Sequence, residues 1–301
     1  MNRLRLLWLA LSAAGLLVLS AAGVGSSATV GHVVGPGVLP TNQGHCRVVD
    51  TRTGRSYSTL QAANDAGPTL AGDTLVVRGT CYGATTISKS LTIVGRHRLD
   101  APTLDGGHSG APVVTVMGGV TVALDDLIVT GGGVAGGVGG LGGGIFNDGG
   151  TVTLTNTTVT GNTARLGGGI LNYHGGTVTL HSSTVSDNTG SGIENYDGGT
   201  AALDNSTVTG NTTQYGGGIS NHYSTLLTLD DSTVAGNTAR YDGGGIYNTG
   251  VARLTNSTVT GNTARSGGGI YNAGVVTLTG STGTGNSPDD CVGSPLSPSG
   301  C

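Results

Sequence analysis

The sequence predicts an all-β fold: a single-stranded right-handed parallel β-helix, three strands per coil, with a short N-terminal capping helix. Three observations carry this expectation. A Gly-Gly-Gly-Ile-x-Asn unit recurs about six times, its isoleucines Ile145, Ile170, Ile193, Ile219, Ile246 and Ile270 falling 23 to 27 residues apart. Each unit holds short runs in which apolar residues alternate with threonine, such as Thr151-Val-Thr-Leu-Thr155 and Thr158-Val-Thr160, the period and composition of strands. No unit contains a helical pattern, which excludes leucine-rich and ankyrin-type repeats.

Taken in chain order, the N-terminus reads as a cleaved signal peptide over residues 1–28. Arg3 and Arg5 precede an apolar run from Leu6 to Leu19, and small residues offer cleavage after Ala22 or Ala28. That run is short for a membrane span, so no span is expected after cleavage. Residues 29–45 are rich in Gly, Val and Pro and read as a loosely ordered segment. Residues 46–110 read as an N-terminal cap with the first irregular coils. Within them 58–66 is the best helix in the chain, with Ser58 or Thr59 as its cap, placed to cover the open end of the solenoid. Residues 111–286 read as regular coils, and 287–301 as a disulfide-closed tail in which Pro288 stops strand pairing. The four cysteines allow three pairings, of which Cys46–Cys81 with Cys291–Cys301 is the sequence-local solution.

Within the repeats, Ile145, Val152, Leu154 and Val159 share the inward parity, as do their equivalents. Two asparagine columns recur, Asn147 to Asn272 after the isoleucines and Asn162 to Asn286 at the end of each unit. They read as ladders of side-chain amides that satisfy backbone groups at the turns. Glycine makes up 59 of the 301 residues, and the glycines recur in register with Val, Ile and Leu. The Gly-rich run 131–144 lacks the aspartates of a calcium-binding nonapeptide roll.

Several segments bear a family resemblance. Ser58-Thr-Leu-Gln-Ala-Ala, Ala71-Gly-Asp-Thr-Leu-Val-Val and Ser90-Leu-Thr-Ile-Val-Gly resemble the N-terminal cap of pectate-lyase-like right-handed β-helix proteins. The Gly-Gly-Gly-Ile and Val-x-x-Asn units are similar to repeats of chlamydial polymorphic outer-membrane proteins, and the whole of 46–291 looks like secreted actinobacterial β-helix repeat proteins. The membrane barrel of the polymorphic proteins has no counterpart up to Cys301, so the expected location is secreted, extracellular or loosely attached to a cell wall. These motifs are specific for fold and weak for function.

Only 10% of residues are charged and the formal charge is −4, so no basic patch is available to track phosphates and nucleic acid is not an expected partner. The resemblance includes polysaccharide lyases and hydrolases, which need a strong base beside calcium-binding carboxylates, or carboxylates at a set separation. Arg165, Arg240, Arg253 and Arg265 coincide with no carboxylate cluster along one coil. Three columns merit weighing. The position after each isoleucine (Phe146, Leu171, Glu194, Ser220, Tyr247, Tyr271) reads as outward-facing, with Phe146, Glu194, Tyr247 and Tyr271 as candidate ligand contacts; aromatic stacking between coils explains it equally. The adjacent turn brings His174, Asp197 and His222 towards Glu194, a candidate acid–base group that is also ordinary turn composition. Asp204 and Asp230 fall on adjacent coils and are the candidate cation ligands. Asp125-Asp126 and Asp230-Asp231 resemble catalytic doublets but are not, because neighbours on a strand face opposite ways; Asp126 and Asp231 instead occupy the column of Asn156, Asn205 and Asn256. Thr-x-Thr runs at 158–160, 207–209 and 258–260 form an array that resembles ice-binding faces and that β-propensity also explains. The sequons at Asn156, Asn205, Asn211 and Asn256 follow from the ladder spacing.

The expectation is therefore a non-catalytic, monomeric surface protein presenting an elongated face to polysaccharide or a cell-wall surface. It has no cofactor, Ca2+ entering only if the protein is an enzyme. The alternatives are a polysaccharide lyase or glycoside hydrolase, and an ice-binding protein.

Overall fold

The computed structural model describes residues 45–97, 101–133 and 140–293. The expected leader, nearly all of the segment 29–45, and Cys301 lie outside the described residues. Each coil gives one strand to each of three parallel sheets. In the coil that opens at Ile145 these are Ile145–Asp148, Thr151–Thr155 and Thr158–Thr160. Stacking equivalents produces a nine-stranded isoleucine sheet, an eleven-stranded long-strand sheet and a nine-stranded threonine sheet. The irregular coils belong to the same three sheets from Thr74–Arg78, Thr80–Tyr82 and Thr85–Ile87 onward, so their irregularity lies in the turns.

Inside, Ile145, Val152, Leu154 and Val159 are fully buried, and their equivalents stack beneath them. Burying each such side chain stabilises by roughly 1.5–3 kcal/mol. Both asparagine columns form ladders. Asn147 Nδ2 donates to Asn172 Oδ1 at 2.7 Å and to Gly150 O at 2.9 Å, and the pattern repeats down to Asn272. In the second column Asn211 Oδ1 accepts from both N and Nδ2 of Asn188, while its own Nδ2 donates to Asn237 Oδ1, Val185 O and Thr209 O. This ladder ends on a different group: Asp290 Oδ1 accepts from N and Nδ2 of Asn286, both at 2.9 Å. An acceptor-only carboxylate closes a column whose last member still has donors to satisfy.

A third ladder was not foreseen. Thr157, Ser183, Ser206, Ser232, Ser257 and Ser281 are all buried. Each hydroxyl from Ser183 onward accepts the backbone N–H of its counterpart one coil earlier, as in Ser183 N to Ser206 Oγ at 3.1 Å. The residue before each of them turns the corner between sheets in the left-handed region: Asn156, Ser182, Asn205, Asp231 and Asn256 have φ of 46–49° and Gly280 62°, and Asp126, before Leu127 on the preceding coil, has 54°. Asp126 and Asp231 are thus corner residues, not strand neighbours of Asp125 and Asp230, and Asp and Asn stand there because they tolerate positive φ. The sequons Asn156, Asn205 and Asn256 join a corner Asn to the hydroxyl ladder; only Asn211 is a ladder amide, and it is fully buried.

The glycines of the repeat meet a close approach. A Cβ on Gly169 would lie 2.5 Å from Gly192 O and 2.7 Å from Val185 Cγ1. Gly167, two residues earlier, has φ +61°.

The N-terminal end is closed as expected. Leu60–Asp65 is helical, with Thr59 as N-cap accepting from Ala62 N, and it buries Leu60 and Ala63. Gln61 Oε1 accepts Thr86 N at 2.7 Å and Asn64 Nδ2 donates to Thr86 O at 3.1 Å, so the helix satisfies the first edge strand of the isoleucine sheet. The only lysine, Lys89, donates to the carbonyls of Asn64, Ala66 and Thr69 at the helix C-terminus. The strand Arg47–Asp50 pairs antiparallel with Thr74–Arg78, and Cys46 is bonded to Cys81.

At the other end Pro288 interrupts pairing without stopping it. Cys291–Gly293 resumes the isoleucine sheet beside Ile270–Asn272, because the side-chain ladder through Asp290 carries the register across the proline. Cys291 is oxidised.

Candidate functional site

The turn from the threonine sheet back to the isoleucine sheet is where coils differ. From ladder Asn to Ile it takes eight residues after Asn162, five after Asn188, eight after Asn211 and nine after Asn237. These turns, with those leaving the isoleucine sheet, line one edge of the solenoid. Among the described residues after 140 the exposed large apolar side chains are Leu141, Tyr196, Tyr215, Tyr223 and Val275, and all but Val275 flank isoleucine-sheet strands.

The column after the isoleucines stacks in the expected register, Phe146 on Leu171, Glu194, Ser220, Tyr247 and Tyr271. It is not uniformly outward and free. Glu194 is only 4% exposed, and Leu171 and Ser220 are 1% exposed. The short turn at Gly190–Gly192 brings Ser191 onto the glutamate, with Ser191 Oγ 2.8 Å from Glu194 Oε2. The other oxygen, Oε1, sits 2.6 Å from His222 Nε2 on the next coil. Glu194 is thus a buried clamp between two coils with a partner on each carboxylate oxygen, and the expectation that it faces outward is corrected.

His222 Nε2 also lies 3.0 Å from Ser220 Oγ. Ser220, His222 and Glu194 have the composition of a nucleophilic triad but not its wiring. In such a relay the base accepts from the hydroxyl through one ring nitrogen and is oriented by the acid through the other. Here a single nitrogen faces both, and the hydroxyl is buried.

His174 and Asp197 are not part of this cluster. His174 Nδ1 pairs with Asp148 Oδ1 at 2.6 Å, and its Nε2 is 3.7 Å from Asp197 Oδ2. The four acid–base candidates therefore divide into a pair of buried Glu194 with half-buried His222, and an exposed cross-coil group around His174. Asp204 and Asp230 do lie side by side on adjacent strands, with the Asp204 carboxylate 3.1 Å from His181 Nδ1. Among the described residues no group of three or more His, Cys, Asp or Glu side chains is arranged to hold a metal ion.

What the structure brings together is a file of rings. Tyr173 and Tyr196 are 5.7 Å apart by ring centroids, Tyr196 and His222 4.6 Å, His222 and Tyr247 6.2 Å, and Tyr247 and Tyr271 5.3 Å and nearly parallel. Five consecutive coils contribute one ring each. A second file, Tyr215 and Tyr241, comes from the variable turns and joins the first through Tyr215–Tyr247 at 5.6 Å. Burial first, then the neighbouring Tyr271 and Asp242, push the Tyr247 phenol above its usual range, so it stays a neutral hydrogen-bonding ring. At the other end Leu141, Leu166, Leu171, Tyr173 and Tyr196 line a shallow recess of about 190 Å³. Phe146, four coils from Tyr247, makes no ring contact with this file.

Of these residues the sequence pointed to Tyr247 and Tyr271 as ligand contacts and to His222 as an acid–base group. Tyr173, Tyr196, Tyr215 and Tyr241 were missed, because they stand at turn positions whose lengths differ and no single column aligns them. The legible signal was the clustering of tyrosine within three residues of the repeat motif in the units at Ile170, Ile193, Ile219, Ile246 and Ile270.

An all-β parallel solenoid with three sheets and a variable, aromatic-lined edge belongs to the class of right-handed β-helix proteins. The family model for the right handed beta helix region matches residues 108–239 and 137–292, and the chain belongs to that family. No curated protein and no solved structure matches it.

Proposed function

We propose that this chain is a secreted, non-catalytic scaffold whose aromatic edge binds a linear glycan on an extracellular or cell-wall surface. The observation that carries this reading is the ring file from Tyr173 to Tyr271. Four coil steps at ~4.8 Å put its ends about 19 Å apart, the scale of a short oligosaccharide lying along the solenoid axis. Tyrosines offer an apolar face to sugar rings and a hydroxyl to their polar groups. The buried Glu194 clamp supports a positioning role: it fixes His222, which links the Tyr196 and Tyr247 halves of the file.

The test is retention of the full chain on insoluble polysaccharides and isolated cell walls. Wild type should be retained on at least one, and Tyr247→Ala/Tyr271→Ala should weaken that retention about tenfold while the fold survives. Absence of retention on every surface removes the reading. The enzyme alternative makes the opposite demand: turnover of an acidic polysaccharide, with or without calcium, that Glu194→Ala abolishes.

A second reading has one observation in its favour. Thr158, Thr184, Thr207, Thr233, Thr258 and Thr282 stack in unbroken register on the threonine sheet. Ice binding through this face predicts thermal hysteresis and shaped ice crystals; neither occurs if the rank serves only the sheet.

A further inference from the structure

The ring file explains the tyrosines but not two arginines beside them. Arg240 and Arg265 occupy equivalent places on adjacent coils, two residues after the bridged pair Thr238 and Thr263. Their guanidinium carbons lie 5.2 and 5.6 Å from the centroid of one ring, Tyr241. Both side chains are exposed, and among the described residues neither guanidinium has a carboxylate within ion-pair distance or donates a hydrogen bond. Arg52, by contrast, is tied to Asp73 through Nε and Nη2.

Two like charges held against one ring, in a chain of net charge −4, leave a local electrostatic demand that the protein does not meet itself. Asp242 is the nearest acid in sequence and forms a backbone bridge to Ser266. The rings Tyr215, Tyr247 and Tyr271 complete the patch around Tyr241. Each guanidinium presents five N–H donors in a planar fork. A carboxylate presents only two oxygens, both in one plane, so two forks on it must share those oxygens. A phosphate or sulfate ester has three free oxygens in a tetrahedron, enough for two forks rising from coils ~4.8 Å apart.

We propose that Arg240 and Arg265 form an anion subsite of the aromatic edge, which receives a tetrahedral oxyanion ester carried on a sugar chain whose rings lie on the neighbouring tyrosines. This rests on the glycan reading of the same edge and names its ligand class.

The experiment is affinity electrophoresis of the full chain through gels containing dextran, phosphorylated dextran, dextran sulfate or polygalacturonate, at about 0.15 M salt. Wild type should bind an ester derivative about tenfold more tightly than dextran, and Arg240→Gln/Arg265→Gln should return it to the dextran level. Arg165→Gln, at the equivalent turn position four coils before Arg265, should change nothing. The larger of the phosphate and sulfate effects identifies the source. Equal binding of dextran and its esters overturns the proposal, as does polygalacturonate binding as tightly as the esters, or an Arg165→Gln loss equal to that of the double variant. If the esters are not favoured while Tyr247→Ala/Tyr271→Ala still releases the chain from a neutral polysaccharide, the subsite fails and the glycan reading stands. If neither the gels nor any polysaccharide surface retains wild type, both fail.

Discussion

The threonine sheet and the aromatic edge are built from the same coils, yet one repeats and the other does not. On the threonine sheet the first outward position is Thr in six successive coils. On the edge, the column after the isoleucine runs Phe, Leu, Glu, Ser, Tyr, Tyr, and the turn before it changes length from coil to coil. The difference teaches which demands are local. A strand stacked between identical strands meets the same neighbours each time, so the same residue solves it. A turn projects away from the stack and has no such constraint. Uniform columns therefore report the solenoid, and broken columns report what the solenoid carries.

The sharpest way to break this division is to cut a uniform column from inside. Asn211→Ala removes an amide that joins three coils and leaves the N and Nδ2 of Asn188 and the carbonyls of Val185 and Thr209 without their partner. Unsatisfied buried groups each cost about 1–3 kcal/mol, so a loss of about 3–5 kcal/mol is expected in a denaturant titration. A loss under about 1 kcal/mol, within the range of surface substitutions, would show that the ladder is not what holds the coils.

Legibility follows the same line. The fold, the inward residues, the capping helix with Thr59 and the Cys46–Cys81 bond were readable because each is a periodic or local signal. The hydroxyl ladder from Thr157 to Ser281 was equally periodic and went unread, since Ser and Thr before a Thr-Val strand look like ordinary β-sheet composition. Glu194 was placed in the right column and given the wrong environment. Its burial depends on a turn three residues shorter than its neighbours and on a histidine 28 residues away, neither of which a column shows.

The N-terminal cap offers a smaller, pH-dependent contrast with the repeats. Arg52 holds the Asp73 carboxyl down to about 2, helped by the Leu70 N–H. A depressed carboxyl contributes stability above its unfolded value of 3.8, and that contribution is lost as pH falls through about 2. The Asn147–Asn272 and Thr157–Ser281 ladders contain only amides and hydroxyls. Acidification from pH 4 to 2 should therefore raise hydrogen exchange around Leu70–Thr74 before the repeat core responds, and Asp73→Asn should remove that pH dependence.

The smallest expected effect lies on the uniform outer face, and it tests the comparison from the other side. Thr207 and Thr209 face outward, and among the described residues their hydroxyls form no hydrogen bond. Val has the same branched shape and the same strand preference, so Thr207→Val/Thr209→Val should change stability by less than about 0.5 kcal/mol. It should leave polysaccharide retention untouched as well, because these residues lie on a different sheet from the ring file. If the pair weakens retention as much as Tyr247→Ala/Tyr271→Ala does, uniformity is no guide to what serves the fold, and the threonine rank becomes the binding face. If it abolishes an ice-shaping activity present in wild type, the rank is uniform because ice is, and the two regions divide the molecule between two ligands.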